Sequence, residues 1–502
     1  MSLLGIDIGS GSCKAAVFDY SGKMLAHTSQ EYSTYSPAPN MVEIEAEIFW
    51  DAVLKVTRQV ASKVEEDPIE ALSISSHGET IIPIDSFGNA IAPAIMNSDN
   101  RAVEQAAWWE KTLGRNRIYE ITGLPLHAMF ALNKIMWLKE HKFEVFSRTD
   151  KFVSVEDYII IKMGLPAYTD YSMASRTMAF DIIKKKWSDE ILKCVGIGED
   201  KLSIPIPSGT KAGTLSSSVA ATLGLREGTI VAMGGHDQPC GALGSGVINK
   251  GEVSDSAGTY ECMVAVTETP GNTSKALQYS LNSYCHVVPG RYVTLAFFPA
   301  GLITRWFLEQ FCFEDKMQAQ HLNKRLFDIL DENTAKVALG PTGLCMTPHF
   351  VGSCNPYWDV RATGAIVGLT PQITRYHLYK AIYEGIACEL AINVRALEEI
   401  TGNFDSIRIN GGNARSPFTV QLRSDLTGKS IHMLHTSEAV CQGAAMLAGV
   451  AAGVYRDVEE AVNRVVRISQ TYAPDHASAD SYLKQLNRYM QLYPSLESIR
   501  SS

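Results

Sequence analysis

The sequence predicts an α/β protein built from two duplicated domains, and three observations predict it. Its 502 residues exceed the roughly 250–300 at which a single hydrophobic core stops growing. A turn of small residues lies between two short apolar strands near the start, in Asp7-Ile-Gly-Ser-Gly-Ser-Cys-Lys14. A similar hairpin, Asp255-Ser-Ala-Gly-Thr-Tyr-Glu-Cys262, returns about half a chain later. A third glycine turn, Ile409-Asn-Gly-Gly-Asn413, joins a strand to a helix.

Taken in order, residues 3–8 form an apolar strand carrying Asp7 near its end. Residues 9–12 turn, 13–19 resume a strand, and 21–23 turn again into a third strand over 24–29. A glycine-rich phosphate loop of the Walker or Rossmann type must lead into a helix. This turn leads into another strand, so neither motif applies. Successive backbone N–H groups of a hairpin still cradle phosphate, and Lys14 would add charge. Helical spacing marks 47–65, and 69–75 is a buried strand ending at Ser76-His77-Gly78-Glu79. Helices are predicted over 102–113, 152–162 and 187–194, with a loop at 205–213. In the second half 301–313, 374–400 and 438–453 read as helices, followed by an amphipathic helix over 476–493. The boundary between domains 1–248 and 249–502 falls just before the second hairpin. Three phosphate-type turns spread over both halves suggest two domains gripping one nucleotide.

Composition narrows the class. A net charge of −9 argues against a nucleic-acid partner, which needs a clustered basic surface. A local anion site made of backbone N–H groups remains compatible with it. The ten cysteines include no CxxC pair and read as free thiols, not as a disulfide framework or a zinc site. The N-terminus enters a strand directly, with no signal peptide, and no apolar run approaches the ~20 residues that span a bilayer. The expectation is a cytoplasmic protein without a membrane partner.

The stretch Val231-Ala-Met-Gly-Gly-His-Asp237-Gln-Pro-Cys-Gly-Ala-Leu243 sets one carboxylate between a strand and a helix-favouring segment. From these residues alone Asp237 is either a helix cap or a catalytic base.

The order of hairpin, Asp237 strand, second hairpin and Gly-Gly-Asn turn resembles the FGGY carbohydrate kinases of the actin/Hsp70/hexokinase superfamily. Residues Met129 to His141 resemble that family's first signature, departing from it at Ala131. Gly364-Ala-Ile-Val-Gly368-Leu369 with His377 to Glu384 fits the second signature. The likeness spans residues 3 to about 455. It implies two actin-like (ribonuclease H-like) domains with mixed sheets flanked by helices, and ATP and sugar in the cleft between them.

The resemblance also implies roles. Asp237 would be the general base and Asp7 would hold Mg2+. Gly9, Ser10, Gly11, Ser12 and Lys14 would meet the β- and γ-phosphates, with Gly258 and Thr259 opposite. Gly411, Gly412, Asn413 and Ser416 would frame the adenosine, and Gly301 and Arg305 would touch the nucleotide. For the sugar, His77-Gly78 resembles a turn of xylulose kinases, with Ser76 in place of their Met. Glu79-Thr80 resembles glycerol kinases, with Gly78 where their Arg stands. Asp99 and Arg101 match the family's Asp-x-Arg segment, without its preceding tryptophan. His236 and Gln238 flank the base. The implied activity is ATP-dependent phosphorylation of a ketopentose or related ketose, or of a glycerol- or tetritol-type polyol. A homodimer is compatible with this reading. The rival classes are an ATP-switched binding protein of the Hsp70 or actin kind and a polyphosphate phosphohydrolase. The first has no reason to gather His77, Glu79, Asp99 and Asp237 in one polar pocket. The acidic balance and the adenosine-type turn disfavour the second.

Overall fold

Two sheets, one from each half of the chain, repeat a single strand order. The first runs Lys211–Thr214, Ile230–His236, Ile69–Ser76, Ser2–Ile8, Ser12–Asp19, Met24–Glu31. Its three middle strands, Ile230–His236, Ile69–Ser76 and Ser2–Ile8, are mutually parallel, and the outer ones pair antiparallel. The second sheet repeats this as Ile468–Tyr472, Ser430–Leu434, Ser406–Asn410, Val253–Ala257, Tyr260–Thr267, Tyr292–Pro299. It adds one edge strand, Asn282–Cys285. The computed structural model describes residues 1–337, 340–412 and 416–500.

Packing explains the strand patterns. Ile69–Ser76 is buried on both faces except at Glu70, as expected of a parallel strand covered on each side. One face of the first sheet is covered by the helix Glu47–Ala61, whose Phe49, Ala52, Val53, Val56 and Val60 repeat at helical spacing. The other face receives a helix from the second half, Ala439–Ala451. Small residues let it approach. A side chain at Gly244 would place its Cβ 1.8 Å from the Ala439 carbonyl oxygen, and one at Gly443 would stand 1.9 Å from that of Cys240. The crossing of Asp237–Gly244 with Ala439–Ala451 therefore requires glycine on both helices.

The predicted helix at 301–313 is divided at Cys312 into Gly301–Phe311 and Phe313–Leu322, and other segments also differ from expectation for local reasons. Residues 152–162 divide into the strand Lys151–Val153 and the helix Val155–Lys162, because Ser154 and Asp157 form a capping box between them. Trp187 belongs to the strand Lys186–Trp187, and the helix Asp189–Val195 starts after its cap at Ser188. The stretch at 205–213 contains parts of two short strands, Ile204–Ile206 and Lys211–Thr214. The helix His476–Met490 stops before a separate turn, Leu492–Ser495, where Pro494 lacks the N–H that would bond back to Met490. All ten cysteines are free. Among the described residues no helix is long and apolar enough to cross a membrane.

Candidate active site

Strand register brings the expected residues together. Ile8, Ser76 and His236 lie side by side across the three parallel strands of the first sheet. The turns that follow, at 9–12, at 77–79 and at Asp237, therefore emerge along one edge, where the carboxyl ends of strands in α/β sheets bind ligands. In the second sheet Ser256 pairs with Asn410, so the 258–259 turn and Gly411-Gly412 also emerge side by side. The Cβ of any residue replacing Gly411 would lie 2.6 Å from the Ala257 carbonyl oxygen. The Thr259 carbonyl accepts from the N–H groups of Ala300 (3.1 Å) and Gly301 (2.9 Å), which ties the helix Gly301–Phe311 to the second hairpin. Arg305 is exposed on that helix. Ser416 caps the helix Pro417–Thr427 and donates to Asp331 at 2.6 Å. Asn413 lies outside the described residues.

Asp237 opens the helix Asp237–Gly244, two residues earlier than the helix-favouring run, and retains 25% side-chain exposure. Its Oδ1 is 3.3 Å from Nε2 of His236. Gln238, next along that helix, is half-buried. Gly78 packs the 77–79 turn tightly against this point. A Cβ there would fall 2.9 Å from the Arg176 side chain and 2.9 Å from the His236 ring. Glu79 is buried at a φ of +64°, a strained conformation for a residue with a side chain, and accepts from Arg176 Nε at 2.6 Å.

Three residues expected to face the sugar have their polar groups engaged by the protein itself. His77 places Nδ1 2.9 Å from the Ile8 carbonyl and Nε2 2.8 Å from Thr80 Oγ1, joining two of the site's turns. Asp99 accepts from the Val42 N–H at 2.6 Å and from Arg101. Arg101 also reaches Glu43 at 2.7 Å and lies over the Trp137 ring at 4.9 Å. An Asp two residues before an Arg is close enough to neutralise it. At the first hairpin, Lys14 pairs with Glu438 at 3.2 Å, across the two halves.

The family models for FGGY carbohydrate kinases match residues 2–244 with the N-terminal domain and 253–452 with the C-terminal domain. The chain belongs to this family. The FGGY kinase is 28% identical to a xylulose kinase of Staphylococcus xylosus over 492 residues, 98% of this chain and 99% of the relative. It is also 28% identical to a gluconokinase of Bacillus subtilis (strain 168) over 498 residues, 99% and 96% of the two chains. The ligand-bound xylulose kinase structure from Lactobacillus acidophilus shares the fold, with a TM-score of 0.89 at 23% identity, over 99% of this chain and 98% of that one. The FGGY kinase is a sugar phosphotransferase that uses ATP as donor.

Electrostatics set the state of its acids. Burial, then the charges of Asp7 and Glu79, push Asp237 up to about 7, against the Gln238 N–H and Arg176, which hold it down. Burial raises Asp7 to about 6, while Lys14 pulls the other way. Burial together with Arg176 and His77 lowers His236 far enough to keep it neutral, so its contact with Asp237 is not an ion pair. Oδ1 of Asp7 is buried without a hydrogen-bond partner, which suits a cation that takes one carboxylate and completes its shell with water and phosphate oxygens.

Residues that sequence reasoning missed complete the site. Arg176 is buried, paired with Glu79, bonded to Asn282 Oδ1 at 3.2 Å, and set over the Tyr284 ring at 4.8 Å. Lys134 donates to the carbonyls of Glu79 (3.0 Å) and Met96 (2.7 Å), and burial lowers it to about 7. None of these stands in a glycine turn. They sit 38 to 108 residues from their partners in sequence.

Proposed function

We propose that this FGGY kinase phosphorylates a hydroxyl of an uncharged ketose, with a ketopentose of the xylulose type as the first candidate. Asp237 would take the proton of the attacking hydroxyl. Asp7 would hold Mg2+, which would supply positive charge to offset the negative charge of the ATP phosphates. The hairpin at 9–12 with Lys14 and the turn at 258–259 would grip the phosphates from opposite sides. Gly411, Gly412 and Ser416, with Gly301, would frame the adenosine.

One observation carries the choice of an uncharged sugar. The cations around the 77–79 turn are already engaged: Arg176 by Glu79, Arg101 by Asp99 and Glu43, and Lys134 by two carbonyls. A sugar acid such as gluconate would bring its carboxylate toward Asp237, Asp7 and Glu79 with no unengaged member of this trio to receive it. Desolvating an unpaired carboxylate costs several kcal/mol, on the order of 10³-fold or more in affinity. A glycerol- or tetritol-type polyol is the second reading, favoured by the Glu79-Thr80 pair.

A panel of xylulose, ribulose, gluconate, glycerol and erythritol in an ADP-release assay tests the proposal. The expected result is sugar-dependent turnover highest with a ketopentose. A higher kcat/KM for gluconate would overturn the choice of an uncharged substrate. The pH profile gives a second check. The base must be ionised to act, and in the free enzyme its pKa is raised to about 7. The kcat/KM should therefore fall about tenfold per pH step below about pH 7 and level off above it. A flat profile between pH 5 and 8 would exclude Asp237 as the titrating base.

A further inference from the structure

We propose that Tyr284, supplied by the second sheet, is a positioning residue that acts on Asp237 through His236. The inference rests on the reading of Asp237 as base, and it assigns a task to two residues beside it.

The strand Asn282–Cys285 is the added edge of the second sheet, and its Ser283 N–H donates to the Gly123 carbonyl of the first half at 2.8 Å. That docking carries the fully buried Tyr284 to the Asp237 strand end, with its hydroxyl 3.1 Å from Nδ1 of His236. The two rings meet edge to face at 5.6 Å, and the 77–79 turn packs against the imidazole at Cδ2, where a Cβ on Gly78 would come within 2.9 Å. The His236 backbone N–H is fixed by Ser172 Oγ at 2.9 Å. With its backbone tied and its ring packed by Tyr284 and the 77–79 turn, the position of the imidazole proton decides what the ring offers Asp237. With the phenol O–H as donor to Nδ1, the imidazole proton would sit on Nε2, 3.3 Å from the carboxylate oxygen of Asp237. That N–H dipole steadies the ionised carboxylate and limits its rotation. The opposite tautomer would set a lone pair against the same oxygen. Arg176 stacked on the phenol ring fixes Tyr284 from behind.

The experiment compares Tyr284→Phe, His236→Ala, His236→Gln, the double variant Tyr284→Phe/His236→Ala, and Asp237→Asn. It uses the sugar that the panel identifies, with ADP binding confirming that each variant is folded. Phenylalanine keeps the ring over Arg176 and removes only the hydroxyl. Tyr284→Phe and His236→Ala should each lower kcat about tenfold, with the sugar KM within about twofold. In the His236→Ala background, Tyr284→Phe should add nothing, because its effect passes through the imidazole. His236→Gln should retain most of the activity, since its amide N–H reaches the position of Nε2. Wild-type kcat in Tyr284→Phe would overturn the proposal. So would multiplicative losses in the double variant, or a glutamine variant as impaired as alanine. Activity in Asp237→Asn would instead overturn the reading of the base, so the two failures remain distinguishable.

Discussion

Replacing Asp237 with asparagine is expected to lower sugar-dependent turnover about 100- to 10 000-fold while ADP binding stays within about twofold. The amide is nearly isosteric and keeps the helix start intact, so the loss reports the missing base. The same substitution should also stabilise the fold. An acid whose folded pKa is raised contributes its stability below the unfolded pKa, near about 4, and loses it as pH rises through the folded value of about 7. At pH 8 the wild-type carboxylate is ionised beside Asp7 and Glu79, a cost that asparagine removes. The carboxylate is a quarter exposed, and solvent screening leaves roughly 1–2 kcal/mol of this effect. Melting curves should show the variant above wild type at pH 8 and level with it near pH 4. An active variant would remove the base assignment, and one melting lower at pH 8 would remove the account of its raised pKa.

The parts of this site visible in the sequence are those that local backbone chemistry dictates. A strand of residues 3–8 ending in a glycine turn declares itself by composition. So does a single acid between the apolar run at 231–235 and a helix. The parts that were not legible depend on where distant segments meet. Arg176 follows a short helix capped by Asp170, and no spacing near it announces that Glu79 is its partner. Tyr284 reads as one aromatic residue in a buried strand until its sheet edge is docked on the other half. Resemblance to a turn of xylulose kinases marks His77 as a sugar contact. Its ring is committed to the backbone of Ile8, a strand 69 residues away in sequence, and sequence alone does not show which nitrogens remain free.

The two hairpins also look more alike in sequence than they are in space. Asp7 stands two residues before its glycine, whereas Asp255 stands three before Gly258, and Ser256 occupies the place of Asp7. Because side chains alternate along a strand, that single step turns Asp255 to the opposite face. It points into the core, fully buried, toward Glu261, which Arg423 clamps through two hydrogen bonds of 2.9 and 2.7 Å. Burial and the neighbouring Glu261 raise Asp255 well above its ordinary value. One cation thus faces two acids beneath the second hairpin turn. Removing it in Arg423→Met should leave the buried charge of Glu261 uncompensated and cost about 3–5 kcal/mol. That is enough to lower the melting temperature by roughly 10 °C or more. Adding Glu261→Gln should restore part of the loss. Asp255→Asn should stay active, whereas Asp7→Asn should lose turnover if Asp7 holds the metal as proposed. Equal losses from the two asparagine variants would show that both hairpins offer an acid to the cation. An unchanged melting point in Arg423→Met would show that the core tolerates the bare carboxylate.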